Sequence, residues 1–193
     1  MQKRSIVLAS ASPRRRDLLR EFGCEVRIRP ADVEELMPAH LTVGEITLFN
    51  AKRKALAIAR LEPESLVVAA DTLVAIGGRI LGKPRDLDEA FAMLSMLSGK
   101  THEVFSGVWM VSAAARKIYG FIEVSKVRFR RIAPDEIREY MKRIGPLDKA
   151  GAYAAQENEM DVIASIEGSR TNVVGLPMET LGQALKSFTC PNQ

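Results

Sequence analysis

The stretch "SIVLASASPRRRDLLREFGCEVRIRP", Ser5 to Pro30, reads as strand, helix and strand in turn, and that reading decides the class of the fold. Its opening "SIVLAS" is short and apolar, as a strand requires. Ser12-Pro13 then supplies an N-cap and a first helical residue, because proline lacks the N–H that a helix start leaves unpaired anyway. The helix is expected to run to about Phe22, with Gly23 as its stop, and "EVRIRP" alternates like a second strand.

Beyond it, the acidic and irregular "ADVEELMPAH" leads into "VGEITLFNAKRKALAIAR", which has helical composition and no Pro or Gly after Gly44. "SLVVAADTLVAI" is an apolar, β-rich run, and Gly77-Gly78 turns it into "RILGKP" as a hairpin. In "DLDEAFAMLSMLSG", Asp86 caps a helix with Glu89 three residues on, and Leu87, Ala90, Phe91, Leu94 and Leu97 share one face. Two strand-like runs between Thr101 and about Arg130 suggest antiparallel pairing. "APDEIREYMKRIG" is a helix with early acids, late bases and a terminal Gly145. "DKAGAYAAQ" fits no regular element, "MDVIASI" and "TNVVGLP" read as the last strands, and "METLGQALKSF" as the last helix. Strands and helices interleave, so the class is α/β with a mixed sheet. The 193 residues hold no repeat or dividing linker, which gives a single domain over 1–193 with room for two lobes.

Lys and Arg outnumber Asp and Glu by 28 to 24, a net charge of +4 that favours anionic ligands without describing a polyanion-wrapping surface. Two cysteines near opposite ends make no disulfide framework and suggest a reducing, cytoplasmic setting. No apolar run approaches the roughly 20 residues needed to cross a bilayer.

Three features carry chemistry. Arg14, Arg15 and Arg16 fall in the first turn of the first helix, where unpaired N–H groups and the helix dipole already favour an anion, so a phosphate there would explain them; the plain alternative is three solvated arginines. Asp71-Thr72 interrupts an apolar strand, and a carboxylate there costs several kcal/mol unless a cation or water compensates; it is either a cleft residue or a strand-end cap. "GGRILGKP" has the glycine spacing of a P-loop but Pro84 where a hydroxyl should reach magnesium, which leaves Lys83 as a phosphate contact or an exposed turn lysine. His40, His102, Cys24 and Cys190 have no zinc-ligand spacing, whereas Glu34, Glu35 and Asp71 suit a hard cation.

Taken together, "LASASPRRRDLL", "AADTLVAIGGRILGKPRD", "MLSMLSGKTHEVFSGV", "GPLDKAGAYAAQ" and "GSRTNVVGLP" resemble the Maf family of nucleoside triphosphate pyrophosphatases, in an ordered set from about Ile6 to Phe188. The resemblance implies a Maf/ITPase-like α/β fold of two lobes around an elongated mixed sheet with a central cleft. It also implies hydrolysis between the α- and β-phosphates with a divalent metal, Mg2+ or Mn2+, and a homodimer. By resemblance Ser12, Arg14 and Arg15 hold phosphates, Glu35 and Asp71 bind the metal, and Asp71 activates the attacking water. Lys54 and Lys83 match phosphate-contacting lysines, and Gln156 ends the "GAY" segment. Arg14, Thr72 and Gln156 look like the branch acting on dTTP and UTP, whereas a branch preferring 7-methyl-GTP carries a bulky aromatic at the place of Arg14. The chain departs from the pyrimidine branch after Gln156, where "ENEMDVIASIEGSR" replaces a Gly-rich, aromatic-containing stretch. The rival reading is a non-catalytic protein of cell division or nucleic-acid binding, against which stands the lack of a basic stripe interleaved with aromatics.

Overall fold

Strand β1 (Arg4–Leu8) is apolar and covered on both faces, with Ile6, Val7 and Leu8 at most 1% exposed, as expected of a strand inside a parallel array. The computed structural model describes residues 4–155 and 159–188. β1 pairs in parallel with β2 (Cys24–Ile28) on one side and with β3 (Leu66–Ile76) on the other. Helices α1 (Pro13–Glu21) and α2 (Val43–Ala59) make the crossovers. The chain continues through β4 (Arg79–Leu81), α3 (Leu87–Leu97), β5 (Thr101–Ser112), β6 (Lys117–Phe129), α4 (Pro134–Ile144), α5 (Glu159–Val162), β7 (Ile163–Glu167), α6 (Arg170–Val174) and α7 (Met178–Phe188). The strand order is β2-β1-β3-β5-β6-β7, with β4 hairpinned to β3, which makes the expected mixed α/β sheet.

The chain divides into two compact units, one of Met1–Asp71, Ser106–Glu123 and Gly175–Gln193, the other of Thr72–Phe105 and Val124–Val174. In the first, the connection from β1 leads outward to β2, and the next returns past β1 to β3. Strand order therefore reverses between β1 and β3, and in such sheets ligands bind beyond the carboxyl ends of the strands at the reversal. Val68 is the last residue of β3 in register with β1, and Ala9 N donates to its carbonyl at 2.8 Å. β3 runs on, so Asp71 lies three residues beyond the end of β1, at that open end.

Helix α2 begins at a reciprocal cap: Glu45 N donates to Thr42 Oγ1 at 3.3 Å, and Thr42 N donates to Glu45 Oε2 at 2.8 Å. Ala55, Ile58 and Ala59 pack against Val7, Val67, Ala69 and Val111. Gly107 of β5 lets the helix approach closely, since a Cβ there would sit 2.2 Å from Leu48 N and 2.3 Å from the Thr47 carbonyl carbon. Gly107→Ala is thus expected to cost about 3 kcal/mol or more, a cost of overpacking against backbone that cannot rotate away. Urea unfolding measures it; a loss below about 1 kcal/mol would show that α2 has slack at this point.

In the second unit, Gly77 and Gly78 adopt φ of 55° and 78° to turn the β3–β4 hairpin. The expected cap is present on α3, with Glu89 N donating to Asp86 Oδ1 at 2.8 Å. Two expectations are corrected. "TNVVGLP" is not a strand: Thr171 to Val174 lie in α6, started by Ser169, whose hydroxyl accepts from Asn172 N at 3.0 Å. Asn172 is fully buried and donates to Val104 O and Ser125 Oγ, both at 3.0 Å, and these tertiary bonds override the β-rich composition. "MDVIASI" divides, with α5 ending at Val162 before β7 begins. Pro146–Asp148 and Ala150–Ala152 form two short 3-10 turns, with Gly151 of the second at φ 68°.

His102 is buried against Phe129 and Tyr153, edge to face, with Nε2 3.0 Å from Tyr153 Oη. Burial lowers its pKa to about 4. An unfolded histidine protonates near pH 6.5, so between those values the unfolded chain binds the extra proton. Stability is then complete above about pH 6.5 and falls toward pH 4, by up to about 3 kcal/mol. Urea titrations across that range should show the slope in the parent and its loss in His102→Gln; equal slopes would contradict the assignment.

Candidate active site

A carboxylate within an apolar strand needs a partner, and the structure supplies one. Asp71 is 4% exposed, and its Oδ1 accepts from Lys54 Nζ at 2.6 Å. The same ammonium donates to Glu35 Oε1 at 2.5 Å. Lys54 reaches both from the buried face of α2, while Glu35 comes from the irregular segment after β2. The Asp71 side chain is 6% exposed and that of Glu35 43%, so the pair has a dry end and a wet end.

Burial raises the Asp71 pKa, and the like charge of Glu35 adds to the rise, while Lys54 and Arg15 oppose it. The result is a carboxylate held beside a cation with little water, a setting in which charge on a ligand is felt strongly. It is suited to orienting or deprotonating a water molecule.

The three consecutive arginines have three different surroundings. Arg16 pairs with its neighbour Asp17 at 2.7 Å. Arg15 turns inward: Nε donates to Gly175 O at 2.9 Å, and Nη1 donates to Ala70 O at 2.9 Å and to Ser10 Oγ at 3.1 Å. It thereby ties the loop before α1 to the residue preceding Asp71, and burial lowers its pKa against the pull of Asp71 and Glu35. Arg14 is half-buried in the first helical turn. Ser12 stands at the N-cap, with its side chain capping no N–H and its own N–H donating to Ser10 Oγ at 3.2 Å.

Glu35, Lys54, Asp71, Ser12, Arg14 and Arg15 thus all belong to the first unit. Lys83 and Thr72 belong to the second, where Lys83 is exposed and the loop that carries it is tied to the 3-10 turns by Gly151 N donating to Gly82 O at 3.0 Å. Thr72 follows Asp71 along β3. Gln156 lies outside the described residues. Among the described residues no three His, Cys, Asp or Glu side chains gather as a metal cluster, so a cation here would draw on the Glu35–Asp71 pair.

Asn50 is a residue that sequence reasoning missed. It is 1% exposed and sits one helical turn before Lys54, on the same face of α2. Its amide accepts from Leu36 N and donates to Leu36 O, both at 3.0 Å, and its Nδ2 lies 3.4 Å from Asp71 Oδ2. The Asn–Lys spacing of four was the only sign of it in the sequence.

A Maf-like protein family model matches residues 5–188, and the chain belongs to the Maf family. Among its relatives, the dTTP/UTP pyrophosphatase of Pelotomaculum thermopropionicum is 45% identical over 185 residues, 96% of this chain and 97% of that protein. The dTTP/UTP pyrophosphatase of Desulforamulus reducens is 41% identical over 185 residues, again 96% and 97%. Among solved structures, the Ham1 protein of Staphylococcus aureus has the same fold, with a TM-score of 0.52 at 15% identity over 96% of this chain and 100% of that one.

Lys54→Met would strand Asp71 as a buried carboxylate, which costs about 3 kcal/mol or more. The double variant Lys54→Met, Asp71→Asn should recover part of that loss, since the unpaired charge is gone. Denaturant unfolding of the three variants tests the pairing, and simple additivity would refute it. For Arg15→Lys, one ammonium cannot serve Gly175 and Ala70 with Arg15's fork geometry, and about 2 kcal/mol of stability should be lost. Unchanged thermal unfolding would mean that these bonds are dispensable.

Proposed function

We propose that this chain hydrolyses dTTP and UTP to the monophosphate and pyrophosphate, as a house-cleaning enzyme. The observation that carries the reading is the convergence of Glu35 and Asp71 on the Lys54 ammonium at the open end of β1, in a chain similar over nearly its whole length to proteins named dTTP/UTP pyrophosphatase.

A nucleoside triphosphate carries about four negative charges at neutral pH, so its hydrolysis depends mainly on cations that stabilise charge developing on the phosphates. Arg14 and the N–H groups of the first turn of α1 bind one end of that charge, with Ser12 beside them. Lys54 serves the phosphates next to Asp71, and Lys83 contributes a further ammonium. Asp71, raised by burial, takes the proton of the attacking water. Thr72 and Gln156 contribute to base recognition. Arg15 keeps Ser10 and Ala70 in place, so that the phosphate loop and the carboxylate act on one substrate.

Glu35 and Asp71 together fit a divalent cation. Two oxygen donors already share one cation, Glu35 leaves a wet side, and magnesium commonly takes one or two carboxylates with substrate phosphates and water in its other positions. When bound, Mg2+ or Mn2+ would neutralise phosphate charge. A reducing, cytoplasmic location follows from two cysteines near opposite ends of the sequence that make no disulfide framework. Among the described residues no helix is long and apolar enough to cross a membrane. The homodimer rests on the family resemblance alone.

The test is steady-state pyrophosphate release from dTTP, UTP, CTP, dUTP, GTP, 7-methyl-GTP and ITP with Mg2+ or Mn2+. The expected outcome is a preference for dTTP and UTP, lost by at least about 100-fold in kcat in Asp71→Asn and impaired in Lys83→Ala. Preference for 7-methyl-GTP would move the chain to that branch. Turnover unaffected by Asp71→Asn would refute the site.

A further inference from the structure

We propose that Asn50 is a positioning residue that holds Glu35 opposite Asp71. The irregular segment carrying Glu35 has no strand or helix of its own to fix it. What fixes it is the pair of bonds between the Asn50 amide and both backbone groups of Leu36, the next residue. Arg53, one turn of helix away, adds a bond to Glu34 O. Glu35 is thus bracketed by two backbone anchors, and both come from α2, the helix that also delivers Lys54.

The orientation of the Asn50 amide is set by Leu36, because a flipped amide would face donor to donor and acceptor to acceptor. In the orientation that satisfies Leu36, the second hydrogen of Nδ2 faces Asp71 Oδ2 at 3.4 Å, a long contact whose role is electrostatic rather than that of a strong bond. One amide thus joins the segment bearing the exposed carboxylate to the buried carboxylate. Asn50 reaches no water-filled surface of its own, being 1% exposed, and its contact with Asp71 is long beside its two 3.0 Å bonds to Leu36, so its main action on chemistry is assigned to Glu35. Groups that orient the groups that contact a cation or substrate change affinity or activity by about 10- to 100-fold when removed.

This inference rests on the assignment of Glu35 and Asp71 to catalysis, and its test separates the two. The full chain, Asn50→Ala, Glu35→Gln and the double variant are compared for dTTP turnover and for Mn2+ binding without nucleotide, followed by electron paramagnetic resonance of free Mn2+. Asn50→Ala is expected to lower kcat by about 10-fold or more and to weaken Mn2+ binding by a similar factor, with KM changed far less. Both losses should shrink to a small remainder in the Glu35→Gln background, because Asn50 acts mainly through Glu35. Circular dichroism of Asn50→Ala, expected to stay that of the parent, guards against a folding defect, as does the Glu35→Gln background, in which a merely structural loss would persist in full. Equal losses in both backgrounds, or parent-like kcat in Asn50→Ala, would overturn the proposal. A parent chain that releases no pyrophosphate but shows the Mn2+ pattern would refute the function and keep the positioning role. A parent that does neither would overturn both.

Discussion

The ammonium of Lys54 is the interaction on which the rest of the site depends. β3 carries a carboxylate into an apolar setting at Asp71, and without a cation that burial would cost several kcal/mol. Lys54 provides the cation, but only because α2 lies close enough to the sheet to deliver it. That closeness comes in turn from Ala55 and Ala59 in the interface and from Gly107, which leaves no room for a Cβ beneath the helix. Small residues in the packing layer thus set the distance at which charge is neutralised in the site. The same ammonium collects Glu35, so the position of one helix governs two carboxylates.

A second constraint is topological. Reversal of strand order between β1 and β3 opens the end of β1, and the chain places there both the start of α1 and Asp71. Helix N-termini attract anions and buried carboxylates attract cations. Arg15 joins these opposite tendencies, since its guanidinium bonds the loop before α1 on one hand and the backbone just before Asp71 on the other. A polyphosphate with its counter-cation satisfies both.

Much of this was legible in the sequence, and the reasons are local. The β-α-β start, the hairpin at Gly77-Gly78 and the capped α3 announce themselves by composition and turn chemistry within a few residues. Asp71 stood out because a carboxylate in an apolar run is costly. The misread segments are those decided by distant partners. "TNVVGLP" has strand composition, yet Asn172 is held by Val104 and Ser125, 68 and 47 residues away, and Ser169 starts a helix instead. The inward turn of Arg15 depends on Gly175, 160 residues on, so three arginines in a row looked alike. Asn50 was hidden for the same reason: an asparagine within a helix is unremarkable until its partners at Leu36 and Asp71 are known.

The proposed activity is cleavage of the bond between the α- and β-phosphates. The most direct measurement is 31P nuclear magnetic resonance of dTTP during turnover with Mg2+, which identifies the products without a coupled assay. Cleavage at that bond gives dTMP and pyrophosphate in equal amounts from the first time point, with no orthophosphate. Orthophosphate and dTDP as the initial products would place cleavage at the wrong bond and contradict it.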